Sequence, residues 1–353
     1  MSTVNTTNVK NAASSTNNLV LGSTGDTQVQ SLNTGPLAGL RNQIISGNFS
    51  VYQRGVQNTT NSATTEYGLD RWIVGPNTSW SLIASPNSPV EFAAAQRLQG
   101  TSITTFTRQM IELPLTGVAS PFALDTEWTF SFWTTVNSTS DVNVSIGFAD
   151  NNIFLGNDVS ITNGNQPATQ TGKTITINSG INFNTWYQYS YTFTVNKSPA
   201  ATNLGLYVGV AYLNNSGADC GITGVQLEPG PVATPFENIP IALELSLCQR
   251  YFYKYTFAGS AATAKGLVFK TAGGTTMYPL QVTYPVTMRA APTIDLSQLV
   301  VRISTGAGGT PTGVTQSSAG SNENMVSLGA TGLPTNTNNV LDFSNSFTAA
   351  AEL

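Results

Sequence analysis

The sequence predicts an all-β protein, and three observations carry that expectation. Charged residues are only 9% of the 353-residue chain, against about 25% in ordinary globular proteins. Glu, Lys and Arg, which fill exposed helix faces, are therefore scarce. Asn, Thr, Ser and Gly take their place, a mix that suits half-buried pleats and tight turns. Apolar and polar residues also alternate with period two over several stretches, as in strands with one buried and one wet face. Hydrophobic residues make up 40%, enough for a packed core.

Residues 1–40 read as an extended segment containing a β-hairpin. Asn18-Leu19-Val20-Leu21 and Thr27-Gln28-Val29-Gln30-Ser31-Leu32 flank the turn Gly22-Ser23-Thr24-Gly25-Asp26. An isolated hairpin is marginal in water, so this segment is expected to fold against a partner surface. Thr34-Gly35-Pro36 reads as a hinge.

Residues 41–237 read as a central, jelly-roll-like β-sandwich. Trp128, Phe130 and Phe132 alternate with Thr129 and Ser131; Val142, Val144, Ile146 and Phe148 alternate with Asn143, Ser145 and Gly147. A turn at Asp150-Asn151-Asn152 follows. Tyr187, Tyr189, Tyr191, Phe193 and Val195 interleave with Gln188, Ser190, Thr192 and Thr194, and Leu204, Leu206, Val208, Val210 and Tyr212 are the expected partner strand. Many such strands separated by Asn, Gly, Ser and Pro turns indicate a sandwich or jelly roll. Trp128 and Trp186 are expected in its core.

Residues 238–353 read as one short linking helix followed by a C-terminal β domain. Pro240 suits the first helical turn, Asn238 lies near a cap position, and Leu243 and Leu247 stand four apart, which predicts a helix over about 240–249. Val282, Tyr284 and Val286 alternate, and Leu299-Val300-Val301-Arg302-Ile303 is a compact strand. The stretch 304–339, rich in Gly, Thr, Ser and Asn, is too long for a plain loop. Turns, short strands and subunit contacts are expected there.

Composition also narrows function. The chain has no histidine, which removes Ser-His-Asp and Cys-His catalysis and His-based metal sites. Cys220 and Cys248 read as free packing thiols, and no cofactor is implied. The net charge is −4 with no basic cluster, so phosphate-neutralising nucleic-acid binding is set aside. No apolar run approaches the roughly 20 residues of a membrane helix, and Met1–Lys10 shows no secretory h-region. Gly306-Ala307-Gly308-Gly309-Thr310-Pro311-Thr312-Gly313 lacks the Lys-Ser/Thr of a phosphate loop and reads as turns. The enzyme class left open is carboxylate-pair glycan hydrolysis, which needs two acids in one cleft. Candidates are Asp70, Glu91, Glu112, Asp125, Glu127, Asp141, Asp150 and Asp158, which no spacing pairs. Trp80, in the polar setting Asn77-Thr78-Ser79-Trp80-Ser81, is the candidate for stacking on a sugar ring. Core burial is the competing reading of Trp80.

Two separated motifs carry a resemblance. Asn48-Phe49-Ser50-Val51-Tyr52-Gln53-Arg54-Gly55 with Tyr67-Gly68-Leu69-Asp70-Arg71-Trp72 reads as a short aromatic strand, a polar loop and a second strand opened by Asp-Arg-Trp. Gly221–Gly230 (GITGVQLEPG) is followed by Ala233-Thr234-Pro235-Phe236-Glu237 and then Leu247-Cys248-Gln249-Arg250-Tyr251-Phe252. Together they resemble the β-sandwich proteins of bacteriophage tail fibres and baseplates. Val9–Leu21 is similar to the attachment segments of such proteins, and Phe347–Leu353 to their close. The family usually has Trp where this chain has Tyr52. The resemblance implies a non-enzymatic virion protein, assembled in the host cytoplasm and released by lysis. It implies a homotrimer, docked to other tail or baseplate proteins through residues 1–40 and binding a host surface polysaccharide. A purely architectural virion part, such as a head fibre, decoration protein or tail adaptor, is the alternative. A spike-type glycan hydrolase is the third reading. Asp70-Arg71-Trp72 itself is expected to fix a strand start.

Overall fold

The computed structural model describes residues 40–59, 62–84, 91–100, 104–112, 126–137, 142–149, 174–177, 186–194, 205–213, 219–257, 266–270, 276–303, 313–317, 320–333 and 338–352, together with short strands at 8–9, 19–21 and 27–29. Strands dominate, and the chain is all-β apart from one short helix. Near the N-terminus Leu19–Leu21 pairs antiparallel with both Asn8–Val9 and Thr27–Val29.

Two six-stranded antiparallel sheets form the sandwich. The first runs Tyr187–Thr194, Glu127–Asn137, Asp219–Pro229, Ala94–Gly100, Thr78–Ala84, Gln57–Asn58. The second runs Thr174–Ile177, Val142–Ala149, Gly205–Leu213, Thr104–Glu112, Trp72–Val74, Glu66–Tyr67. Period two decides what lies between them. Trp128, Phe130, Phe132, Tyr191, Phe193, Val208, Val210 and Tyr212 all point into one buried cluster with Phe49, Trp72, Trp80 and Leu98. Some polar groups that cross this core find partners, which offsets the cost of burying them. Thr107 Oγ1 donates to Gln96 Oε1 at 2.8 Å, and the Thr134 hydroxyl meets the Tyr212 hydroxyl at 2.8 Å.

Several expectations are corrected. Tyr187–Thr194 does not pair with the strand at 205–213. It pairs with Glu127–Asn137, while Gly205–Leu213 lies in the opposite sheet between Val142–Ala149 and Thr104–Glu112. The stretch 48–55 is not a strand. Its amides are taken by local and side-chain acceptors: Ser50 N–H by Asn48 Oδ1, and Gln53 N–H by the Asp70 carboxylate. Phe49 adopts φ +56°, a backbone no strand uses. The expected turn at Asp150-Asn151-Asn152 lies outside the described residues.

The helix spans Ile241–Gln249, with Pro240 at the cap position rather than in the first turn, and no side chain caps it. Its buried side does not carry Leu243. Glu244 and Cys248 are buried, whereas Leu243 is 40% exposed. Glu244 turns inward because Ser46 N–H (2.9 Å) and the Ser50 hydroxyl (2.7 Å) donate to its carboxylate.

Beyond the helix, three three-stranded antiparallel sheets surround a second buried cluster that includes Val282, Tyr284, Met288, Val326, Leu328, Phe343 and Phe347. The strand Met325–Thr331 puts core residues inside the stretch that looked sparse in sequence.

Candidate functional site

The outward row of the first sheet is where the sandwich offers a ligand surface. Phe132 points into the core, so its neighbour Trp133 must point out. Its register partners on either side are Gln188 and Thr223. Ser131 and Ser190 face each other one step along the same row. Trp186, expected in the core, is instead half-buried, and its ring lies over Gly221 on this outer face. Gln188 separates Trp186 from Ser190, and all three share one parity. Trp133 and Trp186 therefore sit diagonally on adjacent strands, within reach of one extended ligand.

A bulge shapes the floor. Between Ser131/Gln226 and Trp133/Thr223 the Asp219–Pro229 strand carries an extra residue. Gly224 takes φ +57° there, and a Cβ on it would lie 2.4 Å from the Phe92 ring. Only glycine fits that combination of backbone and contact. Phe92 in turn meets Phe236 edge-on at 5.1 Å. Phe236 belongs to a strap, residues 231–237, that folds back over the sheet. The fully buried Glu228 carboxylate holds this strap: Thr234 donates to it through its amide (2.8 Å) and its hydroxyl (2.6 Å). Arg41 lies 3.4 Å from the same carboxylate, and the amides of Leu40 and Asn42 donate to Glu237. Strap and sheet enclose a groove of about 380 Å³ lined by Glu91, Ser131, Trp133, Gln188, Tyr189, Ser190 and Thr234 among others. Hydroxyls, an amide and an indole beside one carboxylate can hydrogen-bond ring hydroxyls and cover an apolar sugar face.

Trp80 takes the core position. It is 5% exposed, belongs to the sandwich cluster and donates Nε1–H to Glu66 Oε1 at 3.0 Å. Its ring faces are occupied, and it reaches only the wall of a separate cleft at the far edge of the same sheet.

The motif residues converge elsewhere, at the joint between sandwich and C-terminal domain. Asp70 and Arg71 form a tight turn, with Trp72 N–H donating to Leu69 O at 2.9 Å and Arg71 at φ +70°. Arg71, 1% exposed, bonds Glu352 and the Met110 carbonyl and stacks on the Tyr251 ring at 3.5 Å. Arg54 reaches the other oxygen of Glu352 at 2.7 Å and lies over Phe252 at 3.7 Å. Arg250 and the Tyr251 hydroxyl both donate to Glu112. Burial lifts the Asp70 carboxyl to about 6, although the Gln53 amide and Arg54 pull it down. Burial also acts to raise Glu112, but hydrogen bonds from Tyr251 and Arg250 leave it below the usual carboxylate range. Asp70-Arg71-Trp72 opens the strand Trp72–Val74, as the sequence predicts. The extra role, gripping the chain's last turn of sequence across the joint, has no local signal.

The candidate acids are not brought together. Asp70 and Glu112 serve the joint, Glu91 lines the groove, and Glu127 is exposed on the Glu127–Asn137 strand. Asp125, Asp141, Asp150 and Asp158 lie outside the described residues, as does most of the Gly306–Gly313 stretch. Among the described residues no cluster of three His, Cys, Asp or Glu could hold a metal, and no helix is long and apolar enough to cross a membrane.

No family model matches this sequence, and no curated protein matches it. Similar solved structures include the CBM22-1 xylan-binding domain of Paenibacillus barcinonensis Xyn10C, at 10% identity over 56% of this chain and 100% of that one, with TM-score 0.33. The module TmCBM61 in complex with β-1,4-galactotriose gives 11% identity over 54% and 99%, with TM-score 0.31. The enzymatically active domain of bacteriophage CBA120 tailspike protein 4 gives 13% over 50% and 22%, with TM-score 0.30. With TM-scores below 0.5, none of these likenesses bears on function.

Proposed function

We propose that this chain is a non-enzymatic glycan-binding protein of a phage tail, a fibre or baseplate-attached component that grips a host surface polysaccharide with the outer face of its sandwich. One observation carries the binding part. Trp133 stands half-buried in a groove whose hydroxyl and amide groups match sugar hydroxyls, and Trp186 lies half-buried diagonal to it on the same outer face. The groove's formal charge among its lining residues is the single carboxylate of Glu91, which favours a neutral polysaccharide. One carboxylate also falls short of the acid and nucleophile pair that hydrolysis needs, and this supports gripping over cleavage.

The phage part rests on the motifs, whose residues the joint uses together. A homotrimer in the virion, docked through residues 1–40, follows from the same resemblance. Three copies turn weak groove contacts into firm attachment by avidity.

The test is retention on immobilised host polysaccharide, with Trp133→Ala and Trp186→Ala alongside. Each variant is expected to bind about tenfold more weakly with its fold intact, since a stacked indole supplies much of a sugar site's affinity. Unchanged retention in both variants overturns the groove assignment. Released reducing ends from the polysaccharide overturn the non-enzymatic reading.

A further inference from the structure

A second cleft, of about 410 Å³, opens at the far edge of the first sheet, where Gln57–Asn58 faces the C-terminal domain. Two strands wall it differently. Phe252 and Lys254 lie on one face of Phe252–Thr256, because Tyr253 and Tyr255 take the other face and pack on the second core. Thr348 is the register partner of Lys254 and shares that face. Across the cleft stand Gln57 and Tyr67 from the sandwich.

What is free there differs from what is committed. Arg54 is taken by Glu352 and by the rings of Phe252 and Tyr67. Glu66, close by, accepts from Asn58 Nδ2 at 2.7 Å and from Trp80 Nε1 at 3.0 Å. The side chains of Lys254, Gln57 and Thr348 have no hydrogen-bond or ion-pair partner among the described residues, yet all three line the cleft. An exposed ammonium, an amide and a hydroxyl thus converge beside aromatic side walls.

We infer that this cleft is a second saccharide site, taking a carboxylate-bearing sugar residue such as a uronic acid. Lys254 receives the carboxylate, Gln57 and Thr348 take ring hydroxyls, and Tyr67 borders the apolar edge. A charged acceptor makes the stronger hydrogen bond, so the acid group dominates the selectivity. The site uses no residue of the Trp133 groove, and either assignment can fail without the other.

The full chain is titrated with a tetragalacturonate, with the methyl ester of the same oligosaccharide, and with inorganic phosphate. The acid is expected to bind, weakening as salt rises, while the ester and phosphate do not. Lys254→Met is expected to cut affinity for the acid at least about tenfold, the scale of a lost hydrogen bond to a charge, with an unchanged unfolding transition. Four results overturn the inference: no binding of the acid at millimolar concentration, equal binding of the ester, equal affinity in Lys254→Met, or displacement of the acid by phosphate at equal concentration. The last would make the cleft a general anion site.

Discussion

The joint and the groove use polar residues in opposite ways. At the joint, charged groups are partnered, with Arg71 buried, Glu352 nearly so, and Arg250 and Glu112 partly open: Arg71 with Glu352, Met110 and Tyr251; Arg54 with Glu352; Arg250 and Tyr251 with Glu112. In the groove, mostly neutral side chains lie beside the single carboxylate of Glu91, and the indole of Trp133, like that of Trp186 on the same outer face, is only partly covered. The residues that stand out in the sequence are the ones that hold the molecule together. Those suited to grip something else look ordinary.

Substitutions can break this contrast. The largest effect is expected at Arg71. Arg71→Ala leaves Glu352 short of a buried partner and empties the face of Tyr251, so stability should fall by about 3–5 kcal/mol, measured by denaturant unfolding. A loss below about 1 kcal/mol would mean the joint is not the keystone described.

Asp70 sharpens the same point through pH. Its folded-state carboxyl sits at about 6 against 3.8 unfolded. The folded state therefore holds a proton that the unfolded chain has released between those values. Stability from this group is full below about pH 4 and lost as pH rises past 6, roughly 3 kcal/mol in all. Asp70→Asn keeps the neutral form and should flatten that slope. Glu244, also raised by burial against hydrogen bonds from Ser50 and Ser46, adds slope of the same sign, so some remains. Glu112 works the other way, since its lowered carboxyl contributes stability that disappears as pH falls. An identical pH profile in Asp70→Asn counts against the assignment.

At the groove the expectation inverts. Trp133→Ala should cost no more than about 1 kcal/mol of stability while weakening glycan binding about tenfold. A large stability loss without a binding change would make Trp133 a packing residue. Smallest of all, Lys254→Met should move stability by no more than about 0.5 kcal/mol, checked by thermal unfolding.

Much of the fold was legible because period-two alternation is a local property. Trp128, Phe130 and Phe132 announce both a strand and its buried face. The same alternation says nothing about which strand lies alongside, and so Tyr187–Thr194 was matched to the wrong partner: 187–194 and 205–213 belong to opposite sheets. Phe49 and Val51 look like strand residues, but the acceptors that bend their segment lie outside it: Asp70 in the next turn, and Glu244 far along the chain. Glu244, in turn, is held inward by Ser46 and Ser50, which lie far from it in sequence.

The groove had a faint signature. Trp133 follows Phe132 directly, so one of the two aromatics must face water. Trp186 is in step with Gln188 and Ser190, the wet residues of its strand. Trp80, in a conspicuously polar neighbourhood, drew attention instead, because composition around a residue does not report which side of the sheet it occupies.

The strap has a mechanical consequence. Arg41 touches Glu228, and the amides of Leu40 and Asn42 hang on Glu237, so the point where residues 1–39 enter the sandwich is stapled to the roof of the groove. Tension along that leading segment would be borne first by the element that roofs the proposed glycan groove. On the proposed function tether and clasp would be one piece, so that a pull on the first would change the release rate of the second.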